Sequence, residues 1–354
     1  MRSMALVTGA ASLAALTALS GCSSSGSDAE ASASASASSP AAQSASASPT
    51  PTEPCTLAPD TRVTDLTYTQ LQQYELNNGE KIPTLAEFLD LANEAKVGVL
   101  PEIKTFEPAE GQPKPVPTTE QFAQFAEMLN ERKDITEKLI GSFDESTLKY
   151  FADNEPDWPR IWFRGIGGSV ADPFAPPTVD EMKTRAPSAT ALGVINLLYF
   201  QGTFPLNQQA YDTPKAFADA GIPVYIWYNT ATGGDSVTDG AGVAGVASPG
   251  WEAIASLEPK NVKWIATDMT KEYTAWADAA PATAQPIPEM VAHRGGGQAD
   301  VSENSLSAFQ QAVDNGAKVL ETDVQWTKPT PEDPTGVPVL MHDATINRTA
   351  ACAG

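Results

Sequence analysis

Histidine is almost missing from this chain: two occur in 354 residues, His293 and His342. Any acid–base chemistry that depends on imidazole must therefore use one or both of them. Cysteine is nearly as scarce, with three in all, which leaves room for one disulfide at most. Basic residues are outnumbered two to one, 22 against 44, and the formal charge of −22 argues against nucleic acid, whose phosphates would be repelled. A small anionic substrate is compatible with that charge only where a metal and local Arg or Lys reverse the potential. Beyond the first two dozen residues, no apolar run is long enough to span a bilayer.

The amino terminus reads as a targeting segment. Arg2 gives a small basic start, and Met4 to Leu19 is apolar but too short for a membrane span. Leu19-Ser20-Gly21-Cys22 resembles the lipobox of bacterial lipoproteins, in which the leader is cut before the cysteine and the cysteine carries lipid. A plain secretory leader with an incidental cysteine is the competing reading. Residues 23–54 are almost entirely Ser, Ala, Pro and Thr, too polar and too small to offset their ordering entropy, and read as a disordered tether. At about 5–6 Å × √n, such a tether reaches a few tens of ångströms from a membrane. The organisation expected is therefore a leader (1–22), a tether (23–54) and one folded domain (55–354), extracytoplasmic and lipid-anchored.

The remaining stretch alternates short apolar runs with amphipathic segments, the mark of repeated β-α units and a parallel sheet. Strands are expected at Val97–Lys104, Glu137–Phe143, Arg160–Gly165, Ala191–Tyr199, Pro223–Tyr228, Val262–Thr267, Pro288–His293 and Ala317–Val324. Helical patterns fall between most of them, at 84–95, 119–132, 145–151, 179–184, 214–220, 251–256, 271–277 and 305–315. Thr84 and Ser305 stand as caps, and Gly221 and Gly316 as stops. Eight strands in about 250 residues argue for an α/β fold of the (β/α)8 barrel type, with a doubly wound open sheet as the competitor. His293-Arg294-Gly295-Gly296-Gly297 lacks the spacing of a dinucleotide-binding loop.

The polar residues that stand out lie at the carboxyl ends of these strands, the face on which barrel active sites are built. Glu321 and Asp323 alternate in V-L-E-T-D-V and face one way from their strand; Glu102 and Lys104 do the same in L-P-E-I-K. Glu102, Glu321 and Asp323 form an all-oxygen set that favours a hard cation, Mg²⁺ or Ca²⁺, over zinc. Asp144 and Asp268 come after two other strands, each open to a role in the site or an ordinary solvated one. Cys55 and Cys352 bracket the folded region, and an exported compartment permits a bond between them, two free thiols being the alternative.

These pieces carry a resemblance. H-R-G, E-N-S, G-A-K-V-L-E-T-D-V-Q-W-T, P-V-L-M-H-D-A-T-I-N-R-T, I-P-T-L-A-E-F-L-D-L-A, L-P-E-I-K, G-S-F-D and V-Y-I-W-Y-N resemble the glycerophosphodiester phosphodiesterase family across most of Thr61–Arg348. The resemblance implies metal-dependent hydrolysis of a glycerophosphodiester to glycerol 3-phosphate and an alcohol. It implies His293 and His342 as general base and acid, Glu321, Asp323 and Glu102 as metal ligands, and Arg294 and Lys104 as phosphate contacts. Glu303 is expected to support the site and Trp227 to wall its pocket. A phospholipase D-like enzyme acting on lysophospholipid or sphingolipid head groups, and a non-catalytic surface binding protein on the same barrel, are the alternatives.

The order of the pieces differs from the family's. H-R-G opens the family domain, whereas here Pro288–Ala350 carries that opening quarter at the end of the chain. Thr61–Ala279 carries the segments that in the family come after the H-D block. That order implies a circular permutation of one domain, against the alternative of two half-domains. It would make Cys55 and Cys352 neighbours, with Gly354 close by, so that a disulfide restores the lost connection.

Overall fold

Strands buried on both faces need helices outside them and one another's side chains inside, and a closed barrel supplies both. The computed structural model describes residues 55, 61–106, 116–165, 175–195, 199, 208–227, 239–241, 247–296 and 301–353, all within one unit, Ser48–Gly354. The expected leader, Cys22 and the tether lie outside the described residues, as do Tyr228, Gly354 and most of the loop between 233 and 250. No helix among the described residues is long and apolar enough to cross a membrane.

After a short β1 (Tyr74–Leu76) come β2 (Gly98–Ile103), β3 (Ile140–Ser142), β4 (Arg160–Arg164), β5 (Ala191–Ile195) and β6 (Val224–Trp227). A two-stranded excursion, β7 (Asp239–Ala241) with β8 (Ala247–Pro249), precedes β9 (Val262–Thr267), β10 (Glu289–Ala292) and β11 (Val319–Trp326). In the main sheet β2, β3, β4, β5, β6, β9, β10 and β11 are parallel neighbours in that order, and β11 pairs with both β10 and β2. The eight-stranded barrel is thus closed, and all eight expected strands are in it. The open-sheet alternative falls, since no free edge remains among these eight.

Alternation sorts each strand into two faces. Leu100, Leu139, Ile161, Phe163, Ala191, Tyr225, Trp264, Val291 and Val319 fill the barrel interior. Phe163 on β4 spreads its ring over the two flanking strands at positions without side chains. A Cβ on Gly141 or on Gly193 would approach its ring to 2.4 Å. Outward residues such as Val99, Ile140, Leu192 and Leu320 meet the helices in a larger core. There α2 (Leu85–Ala95) and α9 (Leu306–Asp314) bring Phe88 and Phe309 to a 4.6 Å edge-to-face contact. Each such fully buried ring contributes roughly 1.5–3 kcal/mol relative to exposure.

The helix signals act as expected. Thr84 caps α2 in a reciprocal capping box with Glu87, and Ser305 accepts from the Ala308 amide to cap α9. Gly221 and Gly316 come just after their helices in left-handed conformations. Asp144 proves to be a cap too: its carboxylate accepts from the Ser146 amide at the start of α4 (Glu145–Asn154). Several boundaries differ: β3 is shorter than expected, β5 ends at Ile195 with Tyr199 already helical, and β11 is shifted to Val319–Trp326. The helix expected from Pro214 begins at Gln208 and runs to Asp219, with Pro214 inside it. The Gln-Gln-Ala-Tyr run before the proline is helix-forming, and it extends the element past the position where proline was expected to start it.

The chain's first and last described segments interlock. β12 (Pro338–Leu340) pairs antiparallel with β11, while β13 (Ala350–Cys352) pairs antiparallel with β1, Tyr74 opposite Cys352. Val63, Leu71, Tyr74, Leu76 and Ile82 pack with Val339, Met341, Ile346 and Ala350 in a separate apolar cluster. Cys55 and Cys352 form a disulfide with Cα atoms 5.9 Å apart. The two-thiol alternative is thereby removed.

Candidate active site

β2 and β11 are in register so that Glu102 lies opposite Asp323, with Glu321 one inward step deeper beside Leu100. Ligand oxygens of Glu102, Glu321 and Asp323 all come within 4.8 Å of one another. Burial and the neighbouring Asp323 push the Glu321 carboxyl up to about 8. Burial works in the same sense on Asp323, but Lys104 and Arg294 outweigh it and hold that carboxyl far below the usual range. Lys104 donates to Glu102 Oε1 at 2.9 Å and lies 3.1 Å from Asp323 Oδ1. In this structure it is therefore an ion-pair partner of two carboxylates.

The cluster suits a hard divalent cation on its own terms. Its donors are all carboxylate oxygens and their mutual repulsion is only partly offset, as the raised Glu321 carboxyl shows. Asp323 Oδ2 is held by the Asn304 amide at 2.9 Å, and Asn304 in turn accepts from the Thr322 hydroxyl at 2.8 Å. Such outer contacts fix the direction in which a ligand oxygen points.

His293 begins a tight turn after β10. Arg294 takes up φ 50°, Gly295 φ 80° and Gly296 φ 74°, a left-handed run. A Cβ on Gly295 would meet the Ala308 backbone at 2.8 Å, so only glycine lets this turn lie against α9. The turn aims the Arg294 amide at Glu321 Oε2, 2.8 Å away, and its guanidinium at Glu303 (3.1 Å) and Asp323 (3.2 Å). Glu303 is thus a partner of Arg294 and lies outside the carboxylate cluster.

Each histidine has a carboxylate on Nδ1. His293 pairs with Asp268 at 2.8 Å, from the end of β9. His342, just beyond β12, pairs with Asp343 at 2.6 Å. Burial and Arg294 act to lower the His293 pKa, but Asp268 and Glu321 prevail and raise it. For His342 burial prevails and the pKa is lowered, despite Asp323. With Nδ1 engaged in both rings, Nε2 is the nitrogen left to exchange a proton with a substrate.

Asp343 also pairs with Arg348, which bridges to Glu303 at 3.0 Å. His342, Asp343, Arg348, Glu303, Arg294 and Asp323 thus form one continuous chain of contacts. Tyr225, inward on β6, lies in the field of the cluster and of Asp268; burial, then Glu321 and Glu102, push its hydroxyl well above the ordinary range. Trp227 is half-buried two residues on, at the mouth. With Phe163 (5.6 Å) and the exposed Phe143 (6.4 Å) it makes an aromatic wall across from the carboxylates.

All seven expected metal, phosphate and proton-transfer residues, His293, His342, Arg294, Lys104, Glu321, Asp323 and Glu102, come together at one end of the barrel. Asp268, left open by the sequence, joins them. Asn304, Tyr225, Asp343 and Arg348 were not singled out. The inward alternation of Val224–Trp227 could have indicated Tyr225, and direct adjacency to His342 could have indicated Asp343.

Residues 293–354 match the glycerophosphoryl diester phosphodiesterase family. Over 64 residues the chain is 47% identical to glycerophosphodiester phosphodiesterase 1 of Rattus norvegicus, covering 18% of this chain and 17% of the relative. It is 42% identical over 60 residues to a glycerophosphodiester phosphodiesterase of Caldanaerobacter subterraneus subsp. tengcongensis, covering 17% of this chain and 22% of that one. The aligned stretch therefore spans less than a quarter of these curated relatives. Among solved structures, a glycerophosphodiester phosphodiesterase from Parabacteroides distasonis superposes with a TM-score of 0.34 at 20% identity, over 46% of this chain and 58% of that one. The matched segment holds both histidines, Arg294, Glu303, Glu321 and Asp323, and through it this part of the chain is similar to the glycerophosphodiester phosphodiesterase family.

Proposed function

We propose that this chain is a divalent-metal-dependent phosphodiesterase that hydrolyses a glycerophosphodiester to glycerol 3-phosphate and an alcohol. The observation that carries this reading is the pair of carboxylate-held histidines, from separate strands, beside one cluster of three buried carboxylates. Glu102, Glu321 and Asp323 would hold Mg²⁺ or Ca²⁺. Bound there, the ion supplies Lewis-acid polarisation of a phosphoryl oxygen and helps to generate the nucleophile.

The chain's own groups do the rest. Asp268 and Asp343 fix the two imidazole rings, so that one Nε2 takes the proton from the attacking oxygen and the other gives a proton to the departing alcohol. Arg294 stabilises the charge that develops on the phosphoryl oxygens, with Lys104 beside it. The aromatic wall of Phe143, Phe163 and Trp227 lends support to a second reading, a phospholipase D-like reaction on a lysophospholipid or sphingolipid whose apolar arm lies on those rings.

The same proposal extends to place and ancestry. Cys22 in its lipobox-like setting supports an extracytoplasmic enzyme anchored to the cell membrane by lipid, with 23–54 as tether and 55–354 as the catalytic domain. The disulfide between Cys55 and Cys352 supports a circularly permuted domain whose ends are covalently rejoined. Purified full-length protein, given glycerophosphocholine with Mg²⁺ or Ca²⁺, is expected to release glycerol 3-phosphate, and His293→Ala or His342→Ala to abolish the release. Silence on every phosphodiester tried with either ion would leave a non-catalytic binding protein as the reading.

A further inference from the structure

The chain leaves β1 through Leu76-Asn77-Asn78-Gly79-Glu80, a tight turn that closes on itself. The Gly79 amide donates to Leu76 O at 2.8 Å, and the Leu76 amide donates to Glu80 O at 2.7 Å. Gly79 takes φ 84°, the left-handed conformation that such a loop requires and that glycine adopts without strain. Inside the turn, the Glu80 amide donates to Asn78 Oδ1 at 3.2 Å.

The two sides of this turn hold two different parts of the site. On one side the Asn77 amide donates to Thr349 O at 3.0 Å, and Asn77 Nδ2 reaches Arg348 O at 3.5 Å. Leu76 stands opposite Ala350 in the β1–β13 register. On the other side the Asn78 amide donates to Ser302 Oγ at 3.0 Å. Glu80 Oε2 accepts from the Ser307 amide at 3.2 Å, while Oε1 accepts from the Ser307 hydroxyl and from Asn78 Nδ2. Ser302 and Ser307 bracket Glu303 and Asn304.

Those two bracketed residues carry the connection to the site. Glu303 accepts from Arg348 at 3.0 Å, and Asn304 donates to Asp323 at 2.9 Å. The Arg348 side chain is 46% exposed, and an ion pair with so open a partner is too weak to fix the spacing of the segments that bear it. The turn does what the pair alone does not, since it is hydrogen-bonded to the chain beside both of its ends. Capping of α9 accounts for the Glu80 contact to the Ser307 amide, where a carboxylate suits the helix dipole. It does not account for Asn78 on Ser302 or for Asn77 on Thr349, which lie beyond the helix.

Resting on the phosphodiesterase reading above, we propose that the Leu76–Glu80 turn is a strut that sets the spacing of the Glu303 and Arg348 segments, with Glu80 as a positioning residue for the reaction. Glu80 is 227 residues from Ser307 along the chain. By way of that contact it directs Asn304 toward Asp323, and Arg348 toward Asp343 and so His342.

The test uses the full-length chain with glycerophosphocholine and Mg²⁺ or Ca²⁺. It reads kcat, KM and amide hydrogen exchange in Glu80→Ala, Glu80→Gln, Arg348→Ala and the Glu80→Ala/Arg348→Ala double variant. Glu80→Ala should lower kcat about tenfold with KM little changed, the scale on which such outer contacts act. Glu80→Gln keeps an acceptor for the Ser307 amide and should recover most of the rate. In the Arg348→Ala background Glu80→Ala should cost nothing further, because both act through one bridge. Exchange in Glu80→Ala should quicken across 342–349 as well as across 305–309. Asn78→Ala, at an exposed position in the same turn, should give this pattern on a smaller scale and serves if Glu80→Ala does not fold. A cap and nothing more would quicken 305–309 alone. That pattern, an unchanged kcat, or losses that multiply in the double variant overturns the strut while leaving the phosphodiesterase reading standing. If wild-type protein is active on no phosphodiester, that reading falls and the exchange pattern by itself decides the strut.

Discussion

Glu102 stands directly opposite Asp323 in the parallel register of β2 and β11, so the first and last strands of the barrel share one carboxylate cluster. The histidines and Arg294 belong to the matched segment, but Glu102 and Lys104 reach the site from β2, the barrel's first strand, outside that segment. The way these parts are held sets four expected outcomes.

Glu102→Gln replaces one carboxylate of the cluster by a neutral amide and leaves its neighbours in place. Mg²⁺ or Ca²⁺ should raise the melting temperature of wild-type protein, because a ligand that binds only the folded state stabilises it by mass action. In Glu102→Gln that rise should be lost together with phosphodiesterase activity. An undiminished cation-dependent shift in the variant would remove Glu102 from the ligand set.

The Cys55–Cys352 bond closes nearly the whole folded region into one loop. Chain-entropy arguments put the stabilisation from so long a loop at up to about 5 kcal/mol. Urea unfolding with and without reductant, or of Cys352→Ser, should show a fall of that order or somewhat less. A fall below about 1 kcal/mol would mean that β1–β13 pairing alone holds the ends.

Phe163 leaves no space for a side chain on either flanking glycine. Gly141→Ala and Gly193→Ala should each destabilise the barrel by about 1–3 kcal/mol, the usual cost of overpacking. Adding Phe163→Leu should relieve either one, a coupling that a double-mutant cycle in urea measures directly. Strict additivity would show that the ring simply moves aside.

Arg348 touches none of the carboxylates in the cluster, yet it joins Asp343 to Glu303. As a positioning residue it should lower kcat about ten- to a hundredfold when changed to Ala, with KM little altered and Lys only partly restoring the rate. Burial would raise the Asp343 pKa, but the hydrogen bonds from Arg348 and His342 outweigh it and lower it. The resulting stability is in place above the ordinary aspartate range and is lost as pH falls through the depressed folded value. In Arg348→Ala that loss should begin at a higher pH, visible as an acid limb of both melting temperature and rate moved upward. A rate profile of unchanged shape would confine Arg348 to packing.

The eight strands were legible because each is a short apolar run buried on both faces, a local property of sequence. So was the pairing of two carboxylates, since alternation along a single strand sets Glu321 and Asp323 on one face. Features that depend on partners brought from elsewhere were not legible. β1 and β13 are three residues each and exist because the chain's two ends meet. Glu80, Asn304 and Arg348 look like ordinary polar residues until three separate elements fix their surroundings. Asp144 shows the converse, an acidic residue at the active end of a strand that caps the helix after it.

The closing pair of the barrel, β11 on β2, joins the two strands of the wall that are farthest apart along the chain. During synthesis β2 presents an unpaired edge until β11 has been made, the kind of exposed strand that invites mispairing. Contacts so distant in sequence also form slowly. Glu102 is carried by one side of that seam, and Glu321 and Asp323 by the other. A cation gripped by all three would therefore bind the shut barrel and none of its open precursors, acting as a latch on the last folding step as well as a reagent afterwards.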